Sequence, residues 1–161
     1  MTEELATLTD RSTVVFVRSL PGPIERVWRY LTDSQLLATW FSDGTVGTRP
    51  GEPATFSMGA YGKIVTYEPP HLLEYSWNED DSSCGPVRDS IVRWELAEEG
   101  NRVRLTLTHA RLHETTQRPH GAGWHAFLDR LEAIVSGREP ESLDRLYAHY
   151  KAVYDDVPSV H

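Results

Sequence analysis

The sequence predicts an α+β domain in which a curved antiparallel sheet wraps a long amphipathic helix near the C-terminus, with a short extra helix after it. Three observations carry this. Between Gly44 and Leu112 apolar residues recur with period two, broken by turn residues at regular intervals. From Pro119 to Gly137 the period becomes the three-four spacing of a helix. At 161 residues the chain can bury roughly two-thirds of its unfolded surface around a single core.

Taken in order, residues 11–20, RSTVVFVRSL, are β-branched and read as a strand that ends at Pro21-Gly22-Pro23. Pro23 suits the first turn of a helix carrying Ile24, Val27, Trp28 and Leu31. Asp33 or Ser34 can cap a second short helix with Leu36, Leu37, Trp40 and Phe41 on one side. Turns at Arg49-Pro50-Gly51, Gly59 to Gly62, Pro69-Pro70, Asp80 to Pro86 and Glu98 to Asn101 then divide a meander of about five or six strands.

The strand phases name an inner wall. In NRVRLTLTHARL, Val103, Leu105, Leu107 and His109 share one face. In HLLEYSW the same rule groups Leu73, Tyr75 and Trp77; in VRDSIVRWEL it groups Val92, Trp94 and Leu96, with Ser90 and Arg88 further along. Pro119 opens the longest helix, whose stripe runs through Trp124, Phe127, Leu128, Leu131, Ile134 and Val135 until Gly137 stops it. One turn before Trp124 lies His120, on the same stripe, whereas His125 falls at the edge of the sheet contact or in solvent.

Around this body, residues 1–10 read as a loose acidic leader, 11–137 as the domain, and 138–161 as a tail whose last helix carries Leu143, Leu146, Tyr147, Tyr150 and Tyr154 on one side. Two destinations are open for that stripe, the body or a second copy in a homodimer. Because sheet and long helix are complete by Gly137, removal of the tail is expected to leave a folded body.

Composition excludes several classes of partner. Hydrophobic residues make up 39% of the chain and charged ones 25%, and the net charge of -8 comes with scattered Lys and Arg. This argues against nucleic acid and against anionic membrane. No signal-peptide pattern and no membrane-spanning run occurs, so no membrane insertion is expected. The single cysteine, Cys84, excludes an internal disulfide and reads as an incidental loop thiol in DSSCGP; a cytoplasmic location is expected.

Candidate chemistry is sparse. His109 and His120 should meet at the mouth of a space between sheet and helix, either as general acid or base or as partly buried histidines satisfied by a carbonyl or water. A metal would need a third ligand, for which only His113 and Glu114 are near, and no HExxH or regular His/Cys spacing exists. GxSxG, GxGxxG and GxxxxGK[ST] are also absent, so no catalytic residue, metal or cofactor is assigned. Phe56, Tyr75, Trp77, Trp94, Trp124 and Phe127 either line a pocket or fill the core. Arg88, Ser90, His109 and His120 are the polar groups that would orient a ligand there.

Four segments carry a resemblance. VWRYLTDSQLLATWF (Val27 to Phe41), GKIVTYEPPHLLEYSW (Gly62 to Trp77), RLTLTHARL (Arg104 to Leu112) and GWHAFLDRLEAIVSG (Gly123 to Gly137) follow one another as signatures similar to those of the activator of Hsp90 ATPase homologues. The resemblance implies the helix-grip fold shared with Bet v 1-like plant allergens, START lipid-transfer domains and polyketide cyclases. It implies a cavity holding a small hydrophobic or aromatic molecule, such as a lipid or polyketide-like metabolite. Two alternatives stay open: a cyclase- or hydrolase-like enzyme using the cavity histidines, and a protein-interaction module with a chaperone as partner.

Overall fold

The computed structural model describes residues 4–82 and 84–160, the last two as backbone alone. Residues 1–3 of the expected leader, Ser83 of the DSSCGP loop and His161 of the tail lie outside the described residues. Strand β1 (Thr7–Thr9) leads into β2 (Thr13–Pro21), followed by helices α1 (Ile24–Thr32) and α2 (Ser34–Trp40). A meander follows: β3 (Gly44–Val46), β4 (Pro53–Phe56), β5 (Ala60–Glu68), β6 (Leu72–Glu79), β7 (Val87–Glu99) and β8 (Arg102–Ala110). The long helix α3 (Glu114–Val135), helix α4 (Leu143–Asp155) and a short β9 (Ser159–Val160) complete the order.

All strands join one sheet in the order β3-β4-β5-β6-β7-β8-β2-β1-β9. Every pairing is antiparallel except that of β1 with β9. Strand β2 returns beside β8, with Phe16 opposite Leu107, so the first strand and the meander enclose one concave face. Helix α3 packs into it. This is the helix-grip, Bet v 1-like fold that the resemblance implies.

Local chemistry explains the short helices. Asp33 caps α2 by accepting from the Gln35 N–H at 2.9 Å and the Leu36 N–H at 3.4 Å. The apolar side of α2 then delivers Trp40, edge-on to Trp94 at 6.1 Å between centroids, while the next residue, Phe41, meets Phe56 at 5.1 Å. These rings close one end of the concave face. The other end stays open.

Three expectations need correction. The long helix begins at Glu114 rather than Pro119, because His113 caps it: its Nδ1 accepts from the Thr115 N–H at 3.2 Å while its own N–H donates to Thr116 Oγ1 at 3.1 Å. Pro119 sits inside, lacking only the bond to the Thr115 carbonyl. Residues 4–10 are not all loose leader, since Thr7 pairs with Val15 and Leu8 is fully buried; one inward leucine in a polar stretch was too weak a signal.

The third concerns α3 and the tail. Helix α3 is buried on two faces, and α4 lies along the second. Gln117, Gly121, His125 and Asp129 recur every four residues on that face. Gly121 admits the Tyr154 ring, whose Cδ1 would stand 3.2 Å from any Cβ there. His125, expected at an edge or in solvent, is fully buried and stacks on Tyr150 at 3.7 Å between centroids.

Candidate functional site

The open end of the concave face forms a cavity of about 380 Å³. The phase of β6 carries Trp77 and then Glu79 to its sheet wall. Opposite, one stripe of α3 presents His120, Gly123, Trp124 and Phe127, and α4 adds Tyr147. The turn after β4 contributes Met58, and the loop after β6 contributes Asp81, Ser82 and Cys84.

A carboxylate and an imidazole face each other in this wall. His120 Nε2 lies 2.5 Å from Glu79 Oε2, and the same oxygen accepts from Trp77 Nε1 at 2.9 Å. The other ring nitrogen, Nδ1, lies 2.8 Å from the Thr116 carbonyl, an acceptor only, so Nδ1 donates. Burial raises the Glu79 pKa, but the bonds from His120 and Trp77 outweigh it and hold the carboxyl below its ordinary value. With Glu79 ionised, both nitrogens of His120 face acceptors, and neither is left open to the cavity.

His109 has a different job. Trp124 Nε1 can only donate, and it reaches His109 Nδ1 at 2.9 Å. The proton of the neutral ring is therefore on Nε2, donated to Ser90 Oγ at 2.9 Å, and Ser90 passes its own to the Trp77 carbonyl at 2.6 Å. Every donor and acceptor in this chain is used, so His109 offers no lone pair to a substrate. Burial, together with His120 whose ring centroid is 5.2 Å away, holds its pKa well below the ordinary 6.5.

A pH dependence follows. The unfolded chain takes up a proton at His109 near pH 6.5, whereas the folded chain refuses it. Stability from this group is complete above that pH and is lost as the pH falls, by up to about 1.4 kcal/mol per pH unit. His109→Gln, which can still accept from Trp124 and donate to Ser90 but does not titrate, is expected to flatten the fall in denaturation midpoint between about pH 7 and 5.5. Equal slopes in the two chains would remove His109 as the cause.

Of the expected site residues, Trp77, His120, Trp124 and Phe127 line the cavity. Ser90 and His109 lie behind it, in the relay just described. Phe56, Tyr75 and Trp94 are core: α2 covers that end of the sheet, Tyr75 accepts from Trp94 Nε1 at 2.9 Å, and burial raises the Tyr75 pKa. Arg88 is on the outer face, 2.5 Å from Asp80 Oδ1. A bulge places Arg88 and Asp89 opposite Asn78, with Asp89 at φ +54°, and this reverses the period-two phase between Ser90 and Arg88.

Glu79 was missed, although the alternation Leu73, Tyr75, Trp77 already pointed to it two residues on. Met58 carried no local signal, coming from a turn, and Tyr147 lay on the stripe expected of the last helix with nothing local to bring it to the cavity. His113 is spent on its cap, and Glu114 lies 3.7 Å from Arg11. Among the described residues no group of three or more His, Cys, Asp or Glu is placed to hold a metal ion. No helix among them is long and apolar enough to cross a membrane.

Comparison with known proteins places these features in context. Residues 21–136 match the family described as Activator of Hsp90 ATPase homolog 1-like protein. The crystal structure of CalU16 from Micromonospora echinospora is 27% identical, over 89% of this chain and 86% of that one, with a TM-score of 0.75. The solution structure of a Bordetella parapertussis protein is 30% identical, over 94% and 89% of the two chains, also with a TM-score of 0.75. DynU16, a protein in the dynemicin biosynthetic locus, shares the fold at 22% identity and a TM-score of 0.66, over 81% of this chain and 50% of that one. No curated protein matches the chain.

Proposed function

The chain belongs to the Activator of Hsp90 ATPase homolog 1-like family, and from that premise we propose that it is a binding module for a small hydrophobic or aromatic molecule held between sheet and long helix. The family and the fold support a ligand-binding module in general. One observation carries the finer reading: the cavity of about 380 Å³ has aromatic walls in Trp77, Trp124 and Phe127 and one convergent polar pair in Glu79 and His120. Such a mixture of apolar lining and few polar groups, at the small end of about 300–1,000 Å³, is characteristic of small-molecule sites.

An enzyme using the cavity histidines is less well supported. A general base needs a free lone pair within reach of the substrate, and the nitrogens of His109 and His120 are already engaged.

Calorimetric titration with 2-naphthylmethanol tests the proposal. Saturable binding in the micromolar to millimolar range is expected of a ligand with about twelve non-hydrogen atoms. Gly123→Leu supplies the control: a Cβ at this position meets only Tyr147 Cε2, at 4.0 Å, so the new side chain has the cavity to fill. It should weaken binding at least about tenfold while the gain in helix propensity keeps the unfolding midpoint at or above that of the parent. Binding that is indifferent to Gly123→Leu would show that the ligand sits elsewhere.

A further inference from the structure

We propose that the cavity selects a hydrophobic amine carried as its ammonium cation, bound at the Glu79 carboxylate with its apolar part against Trp77, Trp124 and Phe127. This rests on the binding-module reading and names the ligand class for it.

The first argument is the hydrogen-bonding capacity left on the wall. Glu79 Oε2 already takes two donors, from His120 at 2.5 Å and Trp77 at 2.9 Å, whereas Oε1 accepts no hydrogen bond among the described residues. The nitrogen donors nearby are all engaged: both His120 nitrogens, Trp77 Nε1, and Trp124 Nε1, which is held by His109 at 2.9 Å. Among the charged and nitrogen-bearing groups of the wall, what remains for a ligand is an acceptor on an ionised carboxyl, beside the neutral hydroxyls of Ser82 and Tyr147. That favours a donor, and a charged donor most, because charge-assisted bonds are roughly twice as strong as neutral ones.

The second argument is charge. Two carboxyl groups, Glu79 and Asp81, line the cavity together with one imidazole, His120, and no Lys or Arg does. His120 is bonded to Glu79, which leaves Asp81 in the wall with no Lys or Arg beside it. Arg88, the nearest candidate cation by sequence, is turned outward onto Asp80. A carboxylate ligand such as a fatty acid would enter without a counter-charge, and a buried unpaired charge is strongly disfavoured.

The third is the ring geometry. Trp77 and Trp124 stand 5.3 Å apart between centroids and tilted by 54°, and Phe127 is 6.1 Å from Trp124. Tilted rings beside a carboxylate suit both halves of an aromatic ammonium, which gains from ring contact and from cation–π attraction.

Three probes of one shape separate the possibilities: 2-naphthylmethylamine, 2-naphthylmethanol and 2-naphthoic acid, titrated by calorimetry at neutral pH into the parent chain and into Gly123→Leu. The amine is expected to bind at least about tenfold tighter than the alcohol, equivalent to about 1.4 kcal/mol, with the acid weakest. Glu79→Gln, which keeps an acceptor but removes the charge, should bring the amine down to the level of the alcohol. Should that variant fail to fold, the ranking in the parent chain still decides. If the alcohol or acid binds as tightly as the amine and Gly123→Leu blocks it, the ammonium class is overturned and the binding module stands. If none of the three binds, both are overturned.

Discussion

Removal of residues 138–161 is expected to cost the chain its cooperative unfolding transition, or to lower the midpoint so far that the body is only marginally folded. The tail places Leu146, Tyr150 and Tyr154 against α3, where they are 1%, 2% and 0% exposed. Burial of such a side chain contributes about 1.5–3 kcal/mol, and three of them approach the roughly 5–15 kcal/mol that holds an ordinary domain together. The loss is more than apolar area. Tyr154 Oη accepts from the Ala6 N–H at 2.8 Å, and Arg118 donates to the Tyr154 carbonyl at 2.7 Å. Tyr150 also donates to Asp129, so deletion would strip partners from several buried polar groups at once. Urea titration followed by circular dichroism reads the result, and a cooperative transition at an unchanged midpoint would show that the body ends at Gly137 after all.

Leu128→Ala is expected to destabilise the chain by about 2–5 kcal/mol, the usual cost of truncating a buried leucine. Leu128 is 1% exposed within the cluster formed by α3 and the concave sheet. For a domain of this size that corresponds to a fall in Tm of about 4–20 °C. Lys151→Ala, on the exposed side of α4, serves as the comparison and should stay within about 0.5 kcal/mol of the parent. A Leu128→Ala midpoint equal to the parent's would mean that the long helix does not grip the sheet.

The two predictions differ in how far each could be foreseen. Leu128 was legible because a helix repeats its inward face every three or four residues, and Trp124, Phe127 and Leu131 share that phase. The burial of the tail was not. The second face of α3 is Gln117, Gly121, His125 and Asp129, which has no apolar period, and it is closed by tyrosines that bring their own polar partners. Polar residues that become buried by satisfying one another leave no hydrophobic signature along the chain.

The site divides in the same way. Periodicity by itself determined the sheet, the long helix and the inward placement of Trp77, His109, His120 and Trp124, since each depends only on residues a few positions away. Four matters depended on tertiary structure. The bulge at Asp89 reversed Arg88, because one extra residue flips the phase of everything beyond it. Trp40 and Phe41 decided which aromatics became core, because helix α2 fills one end of the concave face. The relay through Trp124, His109, Ser90 and Trp77 decided that His109 stays neutral. The meeting of Glu79 with His120 across 41 positions of sequence decided where the remaining polar capacity of the cavity lies. Each joins side chains that are distant in the chain, and a local period carries no record of which distant groups the fold will bring within hydrogen-bonding reach.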